Sequence, residues 1–366
     1  MPDPCLLAVA AELPPSRYTT DELLAAADGR LSDRLTGMLA GLGARAVRSR
    51  LAKAEVDPAS IGLVLGVTSS PGRLLPSLVC DLFALLPEIP REAVALSLEY
   101  LGCSVIAKVV DTARWFLTAE PGKHVLVCFL DAITPLSPPL PGEYAHFSEV
   151  TADRRQDTVN AMHGFLFGDA SVAMLLGADG DGPVFGPVTH LTNELPADAE
   201  LGTVPDGGSD LPVVHGRRLY TLSAEVTPHG THYATSTVRS LLATGTSGLD
   251  KPSEANPVLL HTGSNRILDG LCEEFGIDPD GAAVTSSYRV LREYGNTLGC
   301  SVPLMFADPV HRAPGVGLVV AATPSTSRCG LSTVSTRRTG SRGCPWSSPA
   351  RPHRAGSAEG QAGQGG

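Results

Sequence analysis

Cys103 stands in the run Glu99-Tyr100-Leu101-Gly102-Cys103-Ser104-Val105, where an apolar, alternating stretch (Ala93 to Leu98) gives way to a helix-like one (Val105 to Leu117). A small Gly-Cys-Ser turn at that junction brings the thiol to a helix N-terminus. The partial positive charge there lowers a thiol pKa and favours the thiolate. Far downstream come His261, in Leu259-Leu260-His261-Thr262-Gly263, and Asn296, in Glu293-Tyr294-Gly295-Asn296-Thr297. A cysteine nucleophile with an imidazole and a carboxamide from distant loops suits acyl-thioester chemistry. A thiolate serves in turn as nucleophile and leaving group, and the other two groups can donate hydrogen bonds to an oxygen that gains charge. Each residue alone also has a structural reading. A cysteine after a strand is usually core, a histidine ending a buried strand is usually a satisfied core group, and an asparagine after glycine is usually a turn residue. The order and the combination carry the catalytic reading.

The elements that must position these groups alternate between strand-like and helix-like patterns, the mark of an α/β fold with helix-covered sheets. Ile61 to Val67, Val94 to Leu98, Val125 to Leu130 and Val172 to Leu176 read as strands, Pro76 to Leu86 and Val105 to Ala119 as helices. Gly168-Asp169 precedes the fourth strand in a loop, and Pro135 to Asn160 reads as an exposed linker. The second half repeats the theme: a helix near Ala224 to Ala243, a strand at Pro257 to Leu260, a helix at Asn265 to Phe275, and a strand at Gly317 to Ala322. Each half runs strand, polar loop, helix, which predicts an internal duplication. The organisation expected is a first half over residues 1–178, a second over 179–322, and a tail over 323–366.

The tail changes character. It is Ser, Gly, Arg, Pro and Thr without apolar periodicity, and Arg328, Arg337, Arg338, Arg342, Arg351 and Arg354 face a single Glu359. Such a segment buries too little apolar surface to offset its ordering entropy, so disorder is expected; a basic anion-binding tail is the sharper alternative. Over all 366 residues the composition is that of a compact globule, 43% hydrophobic and 18% charged. A net charge of −10 gives nucleic acid or an anionic membrane no general attraction. No apolar run reaches a membrane span, and Met1-Pro2-Asp3-Pro4 does not open a signal peptide. Eight cysteines without a CxxC pair read as reduced and mostly buried, with Cys80, Cys128, Cys272 and Cys300 as packing residues and a cytoplasmic setting. No zinc-like cluster is visible.

The stretches LGCSVIAKVVDTARWFL, VLVCFLDAIT, FLFGDASVAMLLG, HTGSNRILDGLCEEFGID and VLREYGNTLGCSVP resemble the thiolase-fold condensing enzymes, in the family's order over about residues 5 to 322. The histidine segment and VLREYGN look like type III polyketide synthases, the chalcone-synthase-like branch. GNTLGCSVP and LLPSLVCDLF fit the β-ketoacyl-ACP synthase III branch at least as well. The resemblance implies a five-layer αβαβα fold of two similar halves and a homodimer. It implies that Cys103 accepts an acyl group from CoA or an acyl carrier protein. His261 and Asn296 would then bind the malonyl carbonyl, favour decarboxylation and stabilise the enolate for a Claisen condensation in fatty-acid or polyketide biosynthesis. Asn296 cannot act as a base, which favours carbon–carbon bond formation over plain transfer. No metal or redox cofactor is implied; acyl-CoA and a malonyl thioester are the substrates, and no nucleic acid or membrane is a partner. Three alternatives stay open: an iterative type III synthase using CoA esters, a non-condensing acyltransferase, and an inactive paralogue or partner subunit. One departure stands out, since the Ser/Arg-rich tail occupies the place of the family's Gly-rich loop and final strand.

Overall fold

The computed structural model describes residues 2–13, 44–48, 51, 54–72, 75–133, 166–191, 201–204, 221–223, 225–308, 315–321 and 331–338. The expected linker Pro135 to Asn160 lies outside them. The first half supplies β1 (Cys5–Glu12), β2 (Ile61–Thr68), α1 (Leu78–Leu85), β3 (Val94–Glu99), α2 (Val105–Ala119), β4 (His124–Asp131) and β5 (Ala170–Gly177). The second supplies β6 (Pro183–Leu191), a two-residue pair β7 (Gly202–Thr203) and β8 (Thr221–Leu222), α3 (Val226–Ala243), β9 (Val258–His261) and α4 (Asn265–Phe275). It continues through α5 (Thr285–Tyr294), α6 (Ser301–Phe306), β10 (Val316–Ala321) and β11 (Leu331–Arg338). The strands and helices expected from periodicity are present within a few residues. β1, β6, β7, β8, α5, α6 and β11 are additions that the periodicity did not reveal.

The main sheet runs β3-β2-β4-β5-β1-β6-β11-β10-β9. It is two units joined at an edge, β1 meeting β6 only through Cys5 and Val184. In the first unit β2 is parallel to β4, β4 antiparallel to β5, and β5 antiparallel to β1. In the second, β9 is parallel to β10, β10 antiparallel to β11, and β11 antiparallel to β6. The pairing pattern is therefore the same in both halves, with β3 alone lacking a counterpart among the described strands. The duplication also leaves a literal repeat: Leu101–Val105 and Leu298–Val302 both read LGCSV. Each copy makes a 3-10 turn that runs straight into a helix, α2 or α6.

Strand alternation sorts the side chains into three cores and so into five layers. Val64, Leu126 and Cys128 pack with α1 on one face of the first sheet unit. Leu63, Leu65, Val125 and Val127 face the other way, into a central core shared with α2, α6, Leu259 and Val319. Val258, Leu260, Leu318 and Val320 pack outward against α3 and α4. α2 and α6 thus form a middle layer buried from both sides. Each fully buried Leu or Val there contributes about 1.5–3 kcal/mol of burial free energy, as an upper estimate.

The tail departs from expectation. Leu331–Arg338 is not free chain: β11 pairs along its length with β10 on one side and β6 on the other. The second half therefore extends beyond residue 322, and the Ser/Thr-rich strand takes the place that the resemblance assigns to a final strand. Its backbone hydrogen bonds, rather than a periodic apolar face, are the signal that the composition hid. Residues 339–366 lie outside the described region.

Because, among the described strands, β11 alone links β10 and β9 to β6 in the sheet, truncation after Ser327 is expected to lower the melting temperature by at least about 10 °C, the scale of losing several kcal/mol in a domain of this size. Trypsin should likewise spare Arg337 and Arg338, whose backbones pair with Val184 and Pro183. An unchanged melting temperature with rapid cleavage there would show that the strand contributes nothing.

Candidate functional site

The turns that follow the parallel strands all lie at their carboxyl ends, where open α/β sheets place their crevices. β3 delivers Tyr100 in a left-handed conformation (φ 59°) and Gly102 in another (φ 59°), folding the chain sharply enough to aim Cys103 at the start of α2. Tyr100 N–H is tied back to the Thr68 carbonyl at the end of β2 (3.0 Å). Gly102 N–H donates to Ser69 Oγ (3.0 Å). Cys103 is buried, in a small cluster with Ile133, Phe167 and Leu298.

His261 is the last residue of β9, buried at 3% exposure. The loop after it is fixed by Thr262 Oγ1, which donates to the Ser264 carbonyl (2.9 Å), and by Ser264, whose side chain caps α4 at Ile267 N–H. Its Nε2 is buried without a hydrogen-bond partner, a state shared among the described residues only by Ser97 Oγ and Glu99 Oε1. Leaving such an atom unmatched costs about 1–3 kcal/mol, so this orphan points to a ligand atom that would complete it. Burial lowers the His261 pKa to about 4, so at neutral pH the ring is uncharged and carries one N–H.

Asn296 follows Gly295, whose positive φ of 69° turns the chain out of α5. Two backbone bonds stitch it to the first half: Asn296 N–H to the Leu166 carbonyl (2.7 Å) and Gly168 N–H to the Asn296 carbonyl (3.1 Å). Gly168 has to be glycine, because a Cβ would overlap the Tyr294 carbonyl oxygen. That is the role of the Gly-Asp loop. Asn296 Oδ1 accepts from Leu298 N–H (2.9 Å), which leaves Nδ2 facing Gly263, 3.5 Å from where a Cβ there would stand. The amide donor is thereby aimed toward the strand end that carries His261. The Cys103 thiol points at the same carboxamide, Sγ lying 4.0 Å from Oδ1. His261, Thr262 and Gly295 line one small cavity. The structure therefore brings Cys103 and Asn296 together from the two halves and sets the Asn296 amide against the loop that follows His261.

The other cysteines divide. Cys128 and Cys300 are fully buried, burial raising the Cys128 thiol to about 12 and the Cys300 thiol well above its ordinary value. Cys272 is raised as well, again by burial first. Cys80, expected inside, is exposed on α1. Asp131, which sequence reasoning passed over, ends β4 fully buried between the two turns. Among the described residues no group of three or more His, Cys, Asp or Glu gathers as a metal site, and no helix is long and apolar enough to cross a membrane.

No protein-family model matches the chain. It is 26% identical over 309 residues to a β-ketoacyl-[acyl-carrier-protein] synthase III of Nitratidesulfovibrio vulgaris (strain DSM 19637 / Miyazaki F), covering 81% of this chain and 82% of that protein. It is also 26% identical over 272 residues to the protein of the same name from Agrobacterium fabrum (strain C58 / ATCC 33970), covering 73% and 74%. Its fold matches that of 3-oxoacyl-(acyl carrier protein) synthase III from Pseudomonas aeruginosa PAO1 with a TM-score of 0.69 and 19% identity, over 92% of this chain and 99% of that one. The C-terminal type III polyketide synthase domain of Steely1 from Dictyostelium matches with a TM-score of 0.71 and 15% identity, over 92% and 100%. The thiolase-like α/β fold and the resemblance to the β-ketoacyl-ACP synthases III read from the motifs are borne out; the polyketide synthase match bears on the fold.

The low pKa of His261 has a thermodynamic consequence. Between pH 6.5 and 4 the unfolded chain takes up a proton on this histidine that the folded chain refuses, so stability is full above pH 6.5 and falls as pH drops. The loss attributable to it is on the order of 3 kcal/mol. Denaturant unfolding of the wild type and of His261→Asn at pH 7 and pH 4.5 isolates that share. The wild type is expected to lose more than the variant, and equal losses would place the imidazole in contact with solvent.

Proposed function

We propose that this thiolase-fold chain, a relative of the β-ketoacyl-ACP synthases III, is a ketosynthase-type acyltransferase that performs a decarboxylative Claisen condensation in fatty-acid or polyketide biosynthesis. The observation that carries the reading is a buried thiol facing an oriented carboxamide, whose amide is turned toward the strand end bearing a neutral, unpartnered imidazole. The Cys103 thiolate attacks an acyl thioester, and the thiol of CoA or of an acyl carrier protein leaves. A malonyl thioester then enters. Its thioester carbonyl oxygen takes hydrogen bonds from His261 Nε2–H and Asn296 Nδ2–H, carbon dioxide departs, and the electron pair left on the α-carbon is held as an enolate. That carbon attacks the acyl-cysteine carbonyl, and the Cys103 thiolate is expelled as the β-ketoacyl product forms. A neutral imidazole suits this task, since it donates without carrying a proton that the enolate would take up. The preorganised donors act where water is excluded, which is where such bonds are worth most.

The same reading makes CoA and carrier-protein thioesters the partners, the cytoplasm the compartment, and a homodimer the working form. Support for the homodimer comes from β3. It is an outer strand of the sheet, with Val94 and Leu96 exposed and with Ser97 Oγ and Glu99 Oε1 unmatched. An uncovered apolar edge strand is a template for another strand. Leu96→Lys is expected to convert a dimer into a monomer in analytical ultracentrifugation; a monomeric wild type would refute the assembly.

Intact-protein mass spectrometry after incubation with acyl-CoAs and acyl carrier proteins tests the chemistry. The wild type should gain one acyl group and Cys103→Ala none. Acyl transfer is the proper readout, because exposed Cys80 will also react with simple alkylating agents. His261→Ala and Asn296→Ala should still load an acyl group yet release carbon dioxide from the malonyl thioester about 100- to 1000-fold more slowly. Normal condensation by Asn296→Ala would indicate simple acyl transfer instead. Loading by no acyl donor would indicate an inactive paralogue.

A further inference from the structure

Asp131 is buried at 1% exposure, and every hydrogen-bond partner it has among the described residues is a backbone N–H. Its Oδ1 accepts from Ser69 N–H (2.7 Å) and its Oδ2 from Gly299 N–H (2.8 Å). Ser69 in turn accepts from Gly102 N–H, so one carboxylate is linked to the turn that carries Cys103. Gly299 lies in the turn whose preceding residue, Leu298, orients the Asn296 carboxamide. The same carboxylate therefore grips both halves at the point where they meet. The fit is close: a Cβ on Gly299 would stand 3.1 Å from Asp131 Oδ2 and 3.0 Å from Val105 Cγ1. Burial raises the Asp131 pKa to about 7, with Asp169 adding to the rise, while the N–H bonds pull the other way.

We propose that Asp131 is a positioning residue whose carboxylate clamps the cysteine turn and the Asn296 turn together, fixing the distance between the Cys103 thiol and the Asn296 amide. This rests on the reading of Asn296 as an oxyanion donor. In Asp131→Asn one oxygen becomes an NH2 group, which cannot accept from a peptide N–H. The turns should then loosen while the fold persists, since the surrounding cores are intact. Gly299→Ala disturbs the same contact from the other side and serves where Asp131→Asn does not fold.

Two measurements on the full chain decide it. Hydrogen exchange followed by mass spectrometry should show faster exchange in peptides covering 100–105 and 296–302 for either variant, with the melting temperature changed by only a few degrees. Malonyl-CoA decarboxylation should fall about 10- to 100-fold in kcat with KM nearly constant, as for a small misplacement of a reacting group. In the Asn296→Ala background the same substitution should cost less than about twofold, because both act through one group. Unchanged exchange in both turns overturns the clamp, and so do losses that multiply in the double variant. Should Asn296→Ala alone leave decarboxylation intact, the functional reading fails, and the exchange measurement still decides whether Asp131 holds the turns.

Discussion

Two backbone turns, Gly102–Ser104 and Leu298–Cys300, approach each other because a glycine lies where any side chain would have to displace Val105 and Asp131. That approach is the constraint on which the site depends. It brings the ends of α2 and α6 together in the middle layer, and with them the one thiol and the one carboxamide that lie within 4.0 Å. The close packing of the central core then makes the spacing stiff, because interiors at crystal-like density do not adjust a turn without moving its neighbours.

The repeated LGCSV shows how far local sequence determines chemistry and where it stops. Both copies adopt the same turn and both lead into a helix. Cys103 meets an amide side chain and a hydrophobic cluster at the crevice, whereas the fully buried Cys300 thiol donates to the Ala170 carbonyl (3.3 Å). One pentapeptide thus yields a candidate nucleophile and an inert packing residue. What differs is the surroundings of each copy: burial, and after it the nearby Asp131 and Asp169 carboxyls, oppose a thiolate at Cys300.

Much of this was legible in the chain. Near-continuous apolar runs give β2, β4, β5, β9 and β10 because those strands are buried on both faces, and α2 and α4 because their apolar stripes follow the helical period. Cys103, His261 and Asn296 were visible from their types, order and neighbours. Asp131 was not, since an aspartate ending a strand looks like any loop carboxylate until the N–H groups around it are known. The pentapeptide repeat was present but short, and without the matching strand pairing it carried no weight. β11 was hidden for a different reason: Leu-Ser-Thr-Val-Ser-Thr-Arg-Arg has few apolar residues to alternate, and its place comes from β6 and β10, which offer it two unpaired edges.

The order of strands also bears on how a ribosome delivers this molecule. β1 to β5 have all been made once Gly177 emerges, so the first sheet unit can assemble while synthesis continues. β6 cannot follow suit. Its partner β11 begins only at Leu331, and at 5–20 residues per second the interval is on the order of ten seconds. Throughout it, β6 presents an open ladder edge to whatever else is in the cell. The second half is therefore the part of the nascent chain with the longest exposure to mispairing, and the part for which a chaperone's attention during translation would matter most.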